Sequence, residues 1–161
     1  MITSRLRFSR FPLLTALSLV LAACSSTAAQ QSSENDTSTL NHIKIAQPCG
    51  DKPNCVSTLD ARQDFQLAPF TLTEKGEKYW KAVKRVATLL PGARMVEDKP
   101  DYIRIECTSR VFKFVDDFEV QRDGNQLIVR SASRVGYYDF GVNRDRADQF
   151  RELLKAQGYL Q

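Results

Sequence analysis

Asp123-Gly124 separates two runs of alternating apolar residues, Phe112–Arg122 and Asn125–Ser133, and this arrangement restricts the fold more than any other stretch. Asp-Gly is the short-range signature of a tight β-hairpin, because glycine accepts the left-handed backbone that two-residue loops need. With Asp123-Gly124 as the loop, Arg122 faces Asn125, Val120 faces Leu127, Phe118 faces Val129 and Asp116 faces Ser131. Alternate side chains share a sheet face, so Phe112, Phe114, Phe118, Val120, Leu127 and Val129 form the expected core face. Asp117 falls opposite Arg130 on the other face, an expected cross-strand ion pair worth about a few tenths of a kcal/mol in water.

Upstream, Tyr102–Ser109 alternates Ile103, Ile105 and Cys107 with Tyr102, Arg104, Glu106 and Thr108, the pattern of a half-buried strand. A strand over Ala93–Glu97 reaches it through the turn Asp98-Lys99-Pro100-Asp101. Before these strands, Thr71-Leu72-Thr73-Glu74 fits a capping box with its hydroxyl at the N-cap and its carboxylate three residues on. Trp80, Val83, Val86, Ala87 and Leu90 then recur at helical spacing, with Lys78, Lys81, Lys84 and Arg85 as a solvated opposite face, and Pro91-Gly92 stops the helix. A second helix is expected from Asn143, a good N-cap, to Gln157, with Ala147, Phe150, Leu153 and Leu154 as its apolar stripe and Gly158 at C′. Helix, four-stranded antiparallel meander, helix is most economically an α+β two-layer sandwich with both helices on one sheet face.

The start of the chain is set apart from this domain. Arg5, Arg7 and Arg10 precede an apolar run from Phe11 to Ala23; a basic head and a short apolar core followed by small residues make a secretory signal over residues 1–23. The run is too short to span a bilayer, which takes about 20 residues. Leu21-Ala22-Ala23-Cys24 resembles the bacterial lipobox, in which the cysteine is acylated and becomes the mature N-terminus. Each buried CH₂ contributes about 0.8 kcal/mol, so several chains such as palmitate anchor firmly. Ser25 in place of Asp resembles lipoproteins passed to the outer membrane, so the expected location is extracytoplasmic, on the inner leaflet of that membrane and facing the periplasm. Residues 24–43 then comprise the lipidated Cys24 and a small, polar, flexible tether. Its stretch 25–41 reaches about 20–25 Å as a coil. Residues 44–161 form the single domain.

The whole chain has 23 Lys+Arg and 19 Asp+Glu. The leader removes three bases and no acid, leaving 20 against 19, a net charge of +1. The basic balance therefore gives no support for nucleic acid as a partner. Once Cys24 is lipidated, Cys49, Cys55 and Cys107 remain. Cys49 and Cys55 enclose the turn-forming GDKPN, which favours a local bridge, and pairing of Cys107 with either of them is the alternative. C-x₅-C is not a redox motif, and no zinc spacing accompanies it.

PCGDKPNCVS at 48–57, FVDDFE at 114–119 and VRSASRVGYYDFGVNRDR at 129–146 together resemble the bacterial family catalogued as domain of unknown function 1499. The resemblance spans residues 47–155. Gly50-Asp51-Lys52 replaces a more usual Pro/Ser-rich spacer, and Tyr138 occupies a variable slot. Members are often lipoproteins or membrane-attached proteins. The resemblance implies a domain identity and carries no activity.

The only histidine is His42, at the edge of the tether, where nothing positions it as a base. Asp116 and Asp117 are adjacent on a strand, so they point to opposite faces and cannot act as a dyad. No catalytic residue, metal ligand or cofactor is expected. The candidate binding residues lie around the Gly136–Gly141 turn: Arg134 and Arg144, with Asp139, Ser133 and Tyr137, beside a helix N-terminus whose amides suit an anion. Asp116, Asp117, Arg130, Ser131 and Asn143 are expected to be structural, and Arg134 bracing Asp139 is the structural alternative for that arginine.

The expected function is a membrane-anchored, non-catalytic binding or docking module for an anionic envelope glycan, lipid or partner protein. A scaffold that docks through an exposed apolar patch is a related reading. The alternative is an envelope hydrolase or transferase without a catalytic His. Replacing Cys24 by Ser should release the protein from membrane fractions; unchanged membrane association would end the lipid-anchor expectation.

Overall fold

The computed structural model describes residues 44–161. The expected leader, the Cys24 lipidation site, the tether and His42 lie outside the described residues. In chain order the elements are β1 (Cys55–Ser57), β2 (Phe70–Thr71), α1 (Glu74–Lys78), α2 (Trp80–Ala87), β3 (Ala93–Asp98), β4 (Tyr102–Thr108), β5 (Val115–Asp123), β6 (Gln126–Ser133) and α3 (Val142–Ala156). The expected meander β3-β4-β5-β6 is present, and two short strands complete a six-stranded antiparallel sheet along the outer edge of β6. Of these, β1 pairs with the last part of β6 through Cys55↔Ala132, and β2 pairs with its first part through Phe70↔Leu127.

The hairpin register differs from the expected one by two residues. Asp123 pairs with Gln126, Val120 with Val129, Phe118 with Ser131 and Asp116 with Ser133, so the loop is Gly124-Asn125. Gly124 has φ +58° and Asn125 is not left-handed, which is a turn with glycine at its first central position. A slip of two leaves every side chain on its face, so Phe118, Val120, Leu127 and Val129 still point into the core. The ion pair does change: Asp117 faces Ala132, and Glu119 faces Arg130. Phe112 and Phe114 are not core residues either. They precede β5 on an irregular loop and stand exposed.

The helices show similar one-turn adjustments. Thr73, not Thr71, caps α1, its hydroxyl accepting the Gly76 N–H at 3.1 Å, because Thr71 is taken up by β2. Tyr79 interrupts the expected single helix with φ −108° and ψ 43°. Lys84 turns inward rather than to solvent, ion-paired with Asp98. Gly141 occupies the N-cap position of α3 with φ +83°, so Asn143 lies inside the first turn of the helix and is fully buried. The other end of α3 matches expectation. Gly158 has φ +69°, its N–H reaches the Lys155 carbonyl at 2.8 Å, and the Tyr159 N–H reaches Leu154 at 2.9 Å, a Schellman closure.

One continuous core lies between the sheet and the helices. Trp80, Val83, Val86 and Ala87 of α2 and Ala147, Phe150 and Leu154 of α3 meet Ile103, Ile105, Phe118, Val120 and Val129 there. The Trp80 indole donates to the Pro100 carbonyl at 2.7 Å, which seats α2 on the β3–β4 turn. Separately, Cys49, Cys55, Ala132 and Phe65 make a smaller apolar cluster. Cys49 and Cys55 form the local disulfide, and Cys107 is free and buried. A loop with a sequence separation of 6 removes chain entropy equivalent to about 2 kcal/mol from the unfolded state. Replacing both Cys49 and Cys55 by Ser should lower the unfolding free energy in urea by about that amount. A variant with unaltered stability would show that backbone and Asp60 contacts alone hold this loop.

Candidate functional site

A buried polar network sits at the end of the sheet where β5, β6 and α3 converge. The register sets Asp116 beside Ser133 on the core face, where the strand leaves the apolar core and polar atoms need partners. Arg146 supplies them: one guanidinium nitrogen donates to Asp116 Oδ2 at 2.8 Å, and the other to Ser131 Oγ at 3.0 Å and Asn143 Oδ1 at 2.7 Å. Ser131 Oγ donates in turn to Asn143 Oδ1 at 2.6 Å. The Asn143 amide then donates to Ser133 Oγ, Asp139 Oδ2 and the Asn54 carbonyl at 2.8–3.0 Å.

Asp139 completes the helix start, accepting the N–H groups of Gly141 and Asn143 at 3.0 and 2.9 Å. Its carboxylate is therefore the cap of α3, and it does not brace Arg134. The segment before β1 closes the network from outside. Asn54 Nδ2 donates to the Gly136 carbonyl at 3.0 Å, and the Ser133 N–H donates to the Asn54 carbonyl at 2.9 Å.

Above this floor two loops form a rim, residues 109–114 between β4 and β5 and residues 134–141 between β6 and α3. Phe112, Phe114, Val135, Tyr138, Phe140 and Val142 line one cavity of about 430 Å³, with Asp116, Ser133 and Asp139 at its base. A second cleft of about 470 Å³ shares Ser109, Asp116 and Val142 with it and reaches Cys107, Arg110 and Arg146. The rings associate in pairs, Phe112 with Phe114 at 5.6 Å and Tyr138 with Phe140 at 5.0 Å between centroids. Lys113 and Phe140 both have left-handed backbone, with φ +56° and +58°, a conformation that costs a side chain about 1–2 kcal/mol.

The two arginines singled out from the sequence do not meet. Arg134 lies on the outer sheet face, bonded to Asp117 at 2.7 and 2.9 Å and to Glu106 at 2.6 Å. Arg104 continues this ladder by bridging Asp117 to Glu97, and Arg94 adds a second cation to Glu106. Arg144 faces the opposite flank of its loop, donating to the carbonyls of Gln66 and Asp64 at 2.9 and 3.0 Å. Tyr137 is exposed. Arg130 is buried beside Glu119 at 3.5 Å, and Glu119 accepts from the Tyr102 hydroxyl and the Lys44 N–H. Burial pushes the Glu119 carboxyl and the Tyr102 hydroxyl above their ordinary values.

Two organising residues were missed by the sequence reading. Arg146 falls on the stripe of Asn143, Ala147, Phe150 and Leu154, so its helical position could have marked it as inward. Asp60 is buried and holds the disulfide loop by accepting from the Cys49 N–H at 3.0 Å and the Arg62 guanidinium at 2.8 Å. The Arg62 hydrogen bond keeps its carboxyl far below the usual carboxylate range, and no periodic pattern announces it.

The chemistry of this floor is compensation. Asp116 answers Arg146, Asp139 is taken up by amides, and burial pushes the Cys107 thiol above its ordinary pKa. Among the described residues no group of His, Cys, Asp and Glu is placed to hold a metal ion.

Residues 46–154 match the model of a family described as a protein of unknown function (DUF1499). The chain belongs to this family. The span takes in the disulfide loop, the meander, both rim loops and nearly all of α3, so the network and the rim are parts of the DUF1499 domain itself. No curated protein and no solved structure matches the chain.

The outer ladder of the DUF1499 domain makes its stability pH-dependent. Arg134 bonding holds Glu106 below its ordinary pKa. Burial raises the Asp117 carboxyl, but bonds from Arg134 and Arg104 outweigh it and leave that carboxyl low as well. Carboxylates depressed in the folded state stabilise it above their unfolded pKa near 4, and that contribution is lost as pH falls through the folded values. Arg134→Ala should therefore cost about 1 kcal/mol at pH 7, limited by solvent screening of the half-exposed arginine. The gap from wild type should close below about pH 4 in urea unfolding. An equal loss at pH 7 and pH 3 would assign Arg134 a packing role instead.

Proposed function

We propose that this DUF1499 domain is a non-catalytic docking module of an extracytoplasmic, lipid-anchored protein, and that it docks through the aromatic rim. The observation that carries this reading is where the exposed apolar surface lies. Of the eleven large hydrophobic side chains left exposed among the described residues, eight lie between Val111 and Val142 on the two rim loops and the first residue of α3, so exposure is concentrated there rather than scattered. Six of the eight line a single cavity. Single exposed apolar residues need no explanation, whereas a contiguous group marks an interaction surface.

Phe140 sharpens the case. Its ring is 83 % exposed while its backbone is left-handed, so the domain bears a conformational cost and gains little burial in return. Unfavourable backbone of this kind persists where function uses it. The anionic-ligand expectation for Arg134 and Arg144 is replaced by a mainly apolar surface, since those arginines are bonded within the domain and lie apart.

Phe140→Gly should raise the unfolding free energy by about 1 kcal/mol, because glycine adopts positive φ without strain. With Phe112→Ser added, the variant should lose most of its fluorescence enhancement of the apolar dye anilinonaphthalene sulfonate while remaining folded. A fall in melting temperature with Phe140→Gly would make the ring part of the fold and remove the docking reading.

A further inference from the structure

We infer that the surface met by the rim is an anionic phospholipid bilayer, with Phe112 and Phe140 entering its interface and Arg110 and Lys113 meeting the headgroups, an inference that rests on the docking reading above. The charge around the rim selects this occupant. Arg110 and Lys113 are exposed and form no ion pair among the described residues. Of the nearby acids, Asp116 is paired with Arg146 and Asp139 accepts the amides that start α3, while Asp145 in the first turn of α3 is exposed. Arg110 and Lys113 thus stand without ion-pair partners directly beside the most exposed rings, on the loop between β4 and β5, where they can meet an anionic surface.

Shape agrees with charge. Phe112 and Phe140 are 75 % and 83 % exposed on neighbouring loops, so they project from the domain. Apolar side chains projecting among cations, with tyrosines beside them, are suited to the boundary between headgroups and acyl chains. Tyr137 and Tyr138 supply rings with a polar end, which favours that boundary over a dry protein core.

The route of the chain supports the same occupant. Lys44 borders a depression shared with Arg134, at the foot of one rim loop. Nineteen residues separate Cys24 from Lys44, a length that would reach roughly 22–26 Å as a coil. A lipid on Cys24 and the rim can therefore reach one surface together. Tethering supplies an effective concentration of about millimolar, so a contact too weak to hold a free domain suffices for an anchored one.

The test uses the full chain carrying Phe140→Trp, lipidated and reconstituted into phosphatidylethanolamine vesicles with phosphatidylglycerol. The native Trp80 is buried and provides a constant background. A matched control carries Tyr79→Trp, an exposed position next to Trp80, whose indole bonds the β3–β4 turn at Pro100, the end of β4 opposite the rim and about 20 Å from it along that strand at 3.3 Å per residue. Brominated lipids should quench the indole introduced at position 140 at least about twofold more than the one introduced at position 79. That excess should fall when phosphatidylcholine replaces phosphatidylglycerol or when Arg110→Gln and Lys113→Gln are added.

Equal quenching at both positions, or none at position 140, would overturn the bilayer inference. If the indole at position 140 is not quenched but Phe140→Gly still stabilises and dye binding is still lost with Phe112→Ser, the rim docks a protein and the docking reading stands without the bilayer. If Phe140→Gly destabilises as well, both fall.

Discussion

The Asp116–Arg146 ion pair, with Ser131 and Asn143 bonded to the same guanidinium, closes the end of the core that apolar side chains leave open. Both charges are mostly withdrawn from water, and removing either one would strand the other at a cost of about 3–5 kcal/mol. Such a network tolerates no loose geometry, because each donor and acceptor is already used by a neighbour. It therefore fixes three elements against each other: the start of β5, the end of β6 and the first turn of α3. The rim loops are the connections into and out of those positions, so their ends are held rigidly although their tips are exposed. Exposed aromatic rings on firmly held loops can be presented to a partner with little ordering cost at contact.

The outer sheet face manages charge differently. Arg94, Glu106, Arg134, Asp117, Arg104 and Glu97 alternate in sign across three strands and the β6 exit. Each pair alone contributes little in water, and a network contributes more than isolated pairs. The β3 edge carries Arg94, Glu97 and Asp98 and a register irregularity between Met95 and Glu97, devices that discourage edge-to-edge pairing with other chains. Apolar exposure is thus suppressed along this face and edge and concentrated at the rim, a division that a general solubility requirement does not produce.

Much of this was readable in the residues, and the exceptions have physical causes. The faces of β4, β5 and β6 follow from alternation and survive a register slip of two, which is why Val120 and Val129 were placed correctly while Asp117 was given the wrong partner. Asp123-Gly124 and Gly124-Asn125 are both acceptable loops, and only the single positive φ at Gly124 separates them. With two and three residues, β2 and β1 are too short for any period to show. Phe112 and Phe114 continue the alternation of β5 in sequence, but the left-handed Lys113 between them ends the strand pattern. Asn143 has the chemistry of a cap, yet Asp139 lies four residues earlier and takes that work, freeing Asn143 to become the hub of the floor. The candidate binding residues were read around the Gly136–Gly141 turn; Arg134 and Arg144 are bonded within the domain there, while the neighbouring rings stand exposed.

The Cys49–Cys55 bridge has a reach that its small loop conceals. Asn54, its immediate neighbour in the chain, accepts from Ser133 and Asn143 and donates to Gly136, while Pro53 accepts from Asp139. One covalent bond beside the sheet therefore clasps the far side of the aromatic loop. The covalent ring thus stands next in the chain to the hydrogen bonds that hold the loop bearing Tyr137, Tyr138 and Phe140.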